Sequence, residues 1–207
     1  MSPRPRKVSD EEVLAAAYRA MQRLGPPELT LGAIAAEAGV TAGALVQRFG
    51  SKRALLLALA EGAAASGGVM LRELRVEHGS ALETVRAYAE CMAGLASSPE
   101  TLARSLAYLQ IDLTDPDFRA HLLTQARASR DGIRMLLEEA SSAGELARGT
   151  ETDVLAGTVE VAINGALFTW AVHQEGSAEQ FLREAVDAVL APHLGKRRGG
   201  GGTRGRK

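Results

Sequence analysis

Residues 29–53 read LTLGAIAAEAGVTAGALVQRFGSKR, and the spacing of their apolar, small and hydroxyl residues decides the fold. Thr30 precedes Leu31, Ile34, Ala35 and Ala38, which fall on one side of a short helix that Gly39 ends. Thr41 caps a second helix, with Leu45 and Phe49 turned inward. Between them runs Glu37-Ala38-Gly39-Val40-Thr41, whose glycine takes left-handed backbone at no steric cost and aims one helix across the other. Ala35 and Val40 are compact enough to let the helices approach. Two short helices about a glycine turn are a helix-turn-helix, whose second helix lies in the DNA major groove.

Outward from that core the chain reads as helix after helix. Ser9-Asp10-Glu11-Glu12 is a capping box, followed by Val13, Leu14, Ala17, Met21 and Leu24 on one face and stopped by Gly25-Pro26-Pro27. Ser51 caps a helix running through Leu55, Leu56 and Leu59. Further helices are predicted over 80–96 and 100–111, with a break at Ser97-Ser98-Pro99. Thr114-Asp115-Pro116-Asp117 starts another, in which Phe118, Leu122, Ala126, Ile133, Leu136 and Ala140 keep the 3.6 period. Residues 154–173 form the most apolar helix, and Ser177-Ala178-Glu179-Gln180 opens the last, which ends near Pro192. Period-2 alternation is almost absent, and no repeat of fixed length is present. The prediction is an all-α chain of about nine helices. A three-helix DNA-binding module spans 1–53, with its helix-turn-helix at about 30–49. A ligand-binding and dimerisation body spans 54–195, and a disordered basic tail spans 196–207.

Composition narrows the class. The 207 residues are 46% hydrophobic and 24% charged, which excludes wholesale disorder, a collagen-like repeat and a membrane bundle. Residues 154–172 are apolar enough to suggest a membrane span. They contain Thr158, Glu160, Asn164 and Thr169 and lack basic flanks, so a buried helix is expected instead. With no apolar stretch behind the basic start, no secretory signal is expected, and the chain reads as cytoplasmic. The lone Cys91 forms no internal disulfide, which fits a reduced compartment. The formal charge of −1 conceals an asymmetry: 8 bases and 5 acids over 1–53, 10 and 20 over 54–195, then 6 bases and no acid over 196–207.

Residues 8–59 resemble the TetR/AcrR family of bacterial transcriptional regulators. The resemblance rests on Leu29-Thr30-Leu31, on Ile34-Ala35-Ala36-Glu37-Ala38-Gly39-Val40-Thr41, on Gly43-Ala44-Leu45, and on Phe49-Gly50-Ser51-Lys52-Arg53-Ala54-Leu55-Leu56. It covers about a quarter of the chain and implies a dimeric all-helical repressor whose third helix reads double-stranded operator DNA. The family's contact positions fall on Thr30, Ala42, Gly43, Ala44, Val46, Gln47, Arg48 and Lys52. The chemistry of these side chains agrees. Gln47 suits adenine and Arg48 suits guanine or phosphate. Thr30 and Thr41 sit at helix starts, where hydroxyl and backbone N–H groups suit phosphate oxygens. Lys52 and Arg53 oppose the dipole of the helix they begin, a cost that a bound phosphate offsets. One residue departs from the pattern: Val46 stands where the family usually has a tyrosine that contacts the DNA backbone.

The family also implies a body that dimerises through its last two long helices and often encloses a small-molecule pocket. Val159, Ile163, Ala166, Leu167, Phe181, Val186 and Val189 are the expected dimer contacts, on helices too apolar for one intramolecular face. Tyr88, Met92, Tyr108, Phe118, His121, Met135, Phe168 and Trp170 are candidate pocket residues for a small apolar or amphipathic effector. His78, His121, His173 and His193 show no metal-ligand spacing, Glu138-Glu139 are adjacent surface carboxylates, and Cys91 is expected to be buried and structural. No metal, no cofactor and no membrane partner is expected. Nucleophile elbow, P-loop and dinucleotide fingerprints are missing, so an enzyme has no support. Two other classes compete: a helical protein-interaction module that has lost specific DNA binding, and a non-specific DNA-coating protein.

Overall fold

The computed structural model describes residues 8–66 and 68–195. Among them are ten α-helices: α1 (Asp10–Arg23), α2 (Leu31–Ala38), α3 (Ala42–Phe49), α4 (Lys52–Ala65), α5 (Val69–Glu77), α6 (Ala81–Met92), α7 (Pro99–Thr114), α8 (Pro116–Ser142), α9 (Thr152–His173) and α10 (Ala178–Leu190). Two short 3₁₀ turns, Ala93–Ala96 and Ala191–His193, follow α6 and α10. The capping box at Ser9 and Glu12 is formed, and Ser51, Ser80, Ser98, Asp115 and Ser177 cap their helices as their positions predict. The helix that sequence reading misses is α5. It starts behind Gly68 with no side-chain cap, and Leu71 is its one buried residue, so neither a start signal nor an apolar stripe marks it.

Two hydrophobic clusters organise the chain. The N-terminal one gathers Val13, Ala17, Ala20, Leu29, Ile34, Ala35, Leu45 and Leu55, with Leu56, Leu59 and Tyr108 packed against it. Each fully buried leucine or isoleucine there contributes about 1.5–3 kcal/mol. This core runs past residue 53 into the first two turns of α4, and it takes a side chain from α7. The larger cluster fills the space among α6, α8, α9 and α10 and includes Val85, Leu137, Leu155, Val159, Leu182 and Val186. By length and composition α9 is able to cross a membrane; here it packs along α10 and α8.

α8 is the spine. Its 27 residues, at 1.5 Å each, extend about 40 Å. α4 and α5 run beside it in the same direction: Arg53 bonds Asp117 at its start, Leu71 presses on Gly132, and Arg75 pairs with Glu139 near its end. A side chain at Gly132 would place its Cβ 2.6 Å from Leu71 Cδ1, so the glycine permits this close approach. At the far end, Leu194 bridges Leu146, and Gly195 N–H donates to the Glu145 carbonyl at 2.8 Å. The DNA-facing module and the last described residue therefore lie at opposite ends of the molecule.

Candidate nucleic-acid interface

The interface is built by capping. Thr30 Oγ1 accepts the Ala33 N–H and Thr41 Oγ1 accepts the Ala44 N–H, both at 3.1 Å, so the two helices start cleanly. Gly39 takes φ +68°, and the Val40 N–H donates to the Ala35 carbonyl at 3.0 Å, closing α2 and turning the chain into α3. Leu45 is fully buried beneath α3 and fixes its roll. What faces outward is Ala42, Gly43, Val46 and Gln47, with Ala44 half-buried at the edge. Val46 is 48% exposed. Thr30 and Thr41 are exposed too, and each hydroxyl keeps its own O–H to donate outward while its oxygen serves the helix.

The cations behave differently from their sequence reading. Arg48 turns away from the outer face: Nη1 donates to the Val8 carbonyl at 2.9 Å, Nη2 bonds Asp10, and the guanidinium lies 5.8 Å from the Phe49 ring centre. Lys52 Nζ donates to the carbonyls of Leu29 at 2.7 Å and Pro26 at 3.2 Å, tying the α1–α2 loop. Arg53 bonds Asp115 and Asp117 at 2.8 Å and sits 5.6 Å from the Phe118 ring centre, joining the module to the start of α8. Those bonds raise the Arg53 pKa and hold Asp115 below the usual carboxylate range. Arg23 and Arg19 converge on Glu37 and draw its carboxyl down to about 2. Arg48, expected as a base reader, and Lys52 and Arg53, expected as helix-start cations for phosphate, thus each engage internal partners in the free protein. Their partners are loop carbonyls and acids distant in sequence, which local reading does not supply.

The eight candidate pocket residues do not converge. Tyr88 is buried in the body core, where burial pushes its hydroxyl pKa up, and Met92 packs against the same core. Trp170 is buried there too and donates its Nε1–H to the Gly176 carbonyl. Tyr108 packs on the N-terminal cluster, its O–H donating to the Leu24 carbonyl at 2.8 Å, and burial pushes it up to about 12. Phe118 is buried under Arg53, while Met135 and Phe168 are exposed on the outside. His121 alone lines an opening: a shallow groove of about 440 Å³ between α4 and α8, bordered by Ala54, Leu57, Ala58, Glu61, Asp117 and Ala120.

The expected dimer contacts pack within the protomer. Val159, Ile163, Ala166, Leu167 and Val186 are buried in the protomer's own core, and Phe181 and Val189 pack against it. Because the apolar residues of α9 cover more than one face, its sequence does not say which face is spent internally. Its outer face carries Val154, Thr158, Val161, Gly165, Phe168 and Val172 instead. Cys91 is exposed rather than buried, and desolvation with nearby Glu90 and Glu77 raises its thiol pKa, away from a reactive thiolate. The basic tail of 196–207 lies outside the described residues. Sequence reading also misses the joint between module and body, Arg53 with Asp115 and Asp117 and Tyr108 with Leu24. Its one trace is Asp115-Pro116-Asp117, which reads as a helix start.

Comparison with known proteins places these features. Residues 13–59 match the model of the bacterial regulatory proteins of the tetR family. The HTH-type transcriptional repressor AcnR of Corynebacterium glutamicum is 27% identical over 184 residues, covering 87% of this chain and 90% of that protein. SmeT, the repressor of the Stenotrophomonas maltophilia multidrug efflux pump SmeDEF, superposes with a TM-score of 0.65 at 23% identity, covering 97% of each chain. The Bacillus subtilis transcriptional regulator FadR, solved with stearoyl-CoA, gives 0.65 at 17% identity over 88% of this chain and 98% of its own.

Proposed function

We propose that the chain is a cytoplasmic repressor of the TetR type that binds a near-palindromic operator as a pair of protomers and leaves it when a small apolar or amphipathic molecule binds the body, a reading supported by the family match over residues 13–59 and by the likeness to AcnR. The observation that carries the DNA reading is the outer face of α3. Gln47 is its one side chain with both an amide donor and an acceptor, as bidentate bonding to adenine requires. Ala42, Gly43 and Val46 leave the helix slim, and the methyl groups of Ala42 and Val46 suit thymine. The Thr30 and Thr41 hydroxyls flank this face and suit phosphate.

Pairing is supported by α9. Six of its exposed residues, 154, 158, 161, 165, 168 and 172, alternate spacings of four and three, the repeat by which two helices keep one seam in contact. A two-fold axis through that seam would match two copies of α3 to two half-sites.

Release is supported by α4. The helix lends Leu55 to the N-terminal core and lines the α4–α8 groove with Ala54, Leu57, Ala58 and Glu61. A molecule that widens or closes the groove moves the helix that carries the module. Two structural neighbours are solved as ligand complexes, SmeT with triclosan and FadR with stearoyl-CoA. Such a ligand shifts the equilibrium only by its preference for the DNA-incompetent state.

The test is a footprint on DNA selected from genomic fragments by the full chain. A symmetric protected site is expected. Gln47→Ala should cost about 1–3 kcal/mol and relax the preference at one base pair per half-site. Binding to every duplex alike, or to none, overturns the reading.

A further inference from the structure

The groove between α4 and α8 is sorted by chemistry. Positions 54, 57, 58 and 61 fall on one face of α4, and positions 117, 120 and 121 on one face of α8. Ala54, Leu57, Ala58 and Ala120 give it an apolar lining, and the three alanines leave open the space of about 440 Å³ that longer side chains would fill. The two helices run in the same direction from the bond between Arg53 and Asp117. Asp117 therefore stands at the end nearer the module. Glu61 stands at the other end, about 10 Å of helix beyond Ala54.

These two carboxylates are not equivalent. Asp117 Oδ2 accepts from Arg53 at 2.8 Å, whereas Glu61 is exposed and has no hydrogen bond or ion pair among the described residues. The remaining polar side chain of the lining is His121, half-buried on α8. No lysine or arginine lines the groove, and residues 54–65 contain none. The 10 bases and 20 acids of residues 54–195 add a field of the same sign. An apolar molecule with an anionic head would meet a carboxylate at either end of the groove, and a neutral one would leave Glu61 unanswered. Charge complementarity selects a cation.

We infer that this groove takes a small organic cation with an apolar body: its ammonium sits on Glu61, its body lies over Ala58, Leu57 and Ala120, and its far end reaches the Arg53–Asp117 bond. The inference rests on the release reading above and names the class of molecule that operates it. Arg53 ties the module to the start of α8, and Leu55, two residues on, enters the N-terminal core. A body wedged beside that bond parts α4 from α8 where the module is attached. Occupancy is then felt at α3 with no ligand atom touching DNA.

Octyltrimethylammonium, kept below its micelle concentration, is the probe, and octanoate is the matched chain of opposite charge. Titration calorimetry on the full chain should show the cation binding and octanoate not, and only the cation should weaken operator binding. Glu61→Gln should weaken the cation about fivefold, the worth of an exposed ion pair. Glu73→Gln removes an exposed acid of α5 outside the groove and should leave binding unchanged, which separates a seat on Glu61 from the general acidity of the body. Ala120→Leu puts a strong helix former at an exposed position, fills the groove and should abolish binding. Matching melting curves without probe show that the variants are folded. Undiminished binding in Glu61→Gln or Ala120→Leu, or operator release by octanoate in place of the cation, overturns the inference and leaves the release reading standing. A cation seated on Glu61 that leaves operator affinity unchanged would instead remove the release reading, and with it the coupling inferred through Arg53.

Discussion

The N-terminal module and the body are both all-helical, but they specify themselves by different means. In the module each helix is announced by a local device: Ser9, Thr30, Thr41 and Ser51 each accept a backbone N–H three residues ahead. Its helices are short, two of them eight residues, and they gain direction from caps and from one glycine turn. In the body, Ser80, Ser98, Asp115 and Ser177 cap four helices as well, but α5 and α9 begin with no side-chain cap bond, and the apolar residues of α9 spread over more than one face. For these two helices, direction comes from packing. The difference teaches that caps and turns specify a module within a few residues, whereas an apolar helix needs its neighbours to decide which face is interior.

The strongest test of this contrast removes matched leucines. Leu45 and Leu137 are each fully buried, one under α3 and one in the body core. Truncation to alanine should cost about 2–5 kcal/mol at either site in denaturant unfolding. Leu45→Ala should also weaken operator binding, because α3 loses the side chain that fixes its roll. Leu137→Ala, measured where it remains folded, should bind the operator as before. Equal loss of binding in both variants would show that the module does not specify itself.

The next effect concerns the two faces of α9. Phe168 is 53% exposed and Val161 69%, whereas Val159 is fully buried. Phe168→Glu should weaken self-association by about 2 kcal/mol, roughly thirtyfold, with the fold retained in circular dichroism. Val159→Glu should instead unfold the body, because it buries an unpaired charge. Sedimentation distinguishes the two outcomes, and an unaltered dimer in Phe168→Glu would return the interface to another surface.

A smaller effect isolates capping itself. Thr41→Ala removes the hydroxyl that accepts the Ala44 N–H and should destabilise the module by about 1 kcal/mol. Glu151→Ala, at the corresponding position before α9, makes no cap bond to lose and should remain within about 0.5 kcal/mol of the parent.

These contrasts also explain what was legible in the sequence. The helix-turn-helix could be read because Thr30, Gly39, Thr41 and Leu45 act on residues no more than five away. Among the expected contact residues Thr30, Thr41, Ala42, Gly43, Val46 and Gln47 stand on an exposed surface for the same reason. Arg48, Lys52 and Arg53 could not be assigned that way. Their partners lie 23 to 64 residues away, and a cation in isolation reads equally as a phosphate contact or a structural clasp. The burial of most expected dimer residues was illegible on a related ground: Val159 and Val161 are both β-branched valines on one helix, and only packing against α10 and α8 makes the first interior and the second exterior.

The smallest effect tests whether long-range clasps differ between the two parts. Glu37 joins α2 to α1 through two guanidiniums, Arg23 at 2.5 Å and Arg19 at 2.9 Å, and its carboxyl is drawn to about 2. Glu139 joins α8 to α5 through Arg75 alone and is lowered by that one partner. Both are depressed acids, so the stability they lend is fully present above the ordinary carboxylate pKa of about 4.3 and is lost as pH falls through the folded value. The pairs are largely solvated, which keeps the contribution small. A carboxyl-resolved NMR titration should find Glu37 still charged at acidities where ordinary glutamates have titrated. In Arg23→Gln its midpoint should rise toward the ordinary value, yet stay below it while Arg19 remains. If the midpoint in that variant is unmoved, the α1–α2 clasp is not electrostatic, and the module's only specification is its caps and its core.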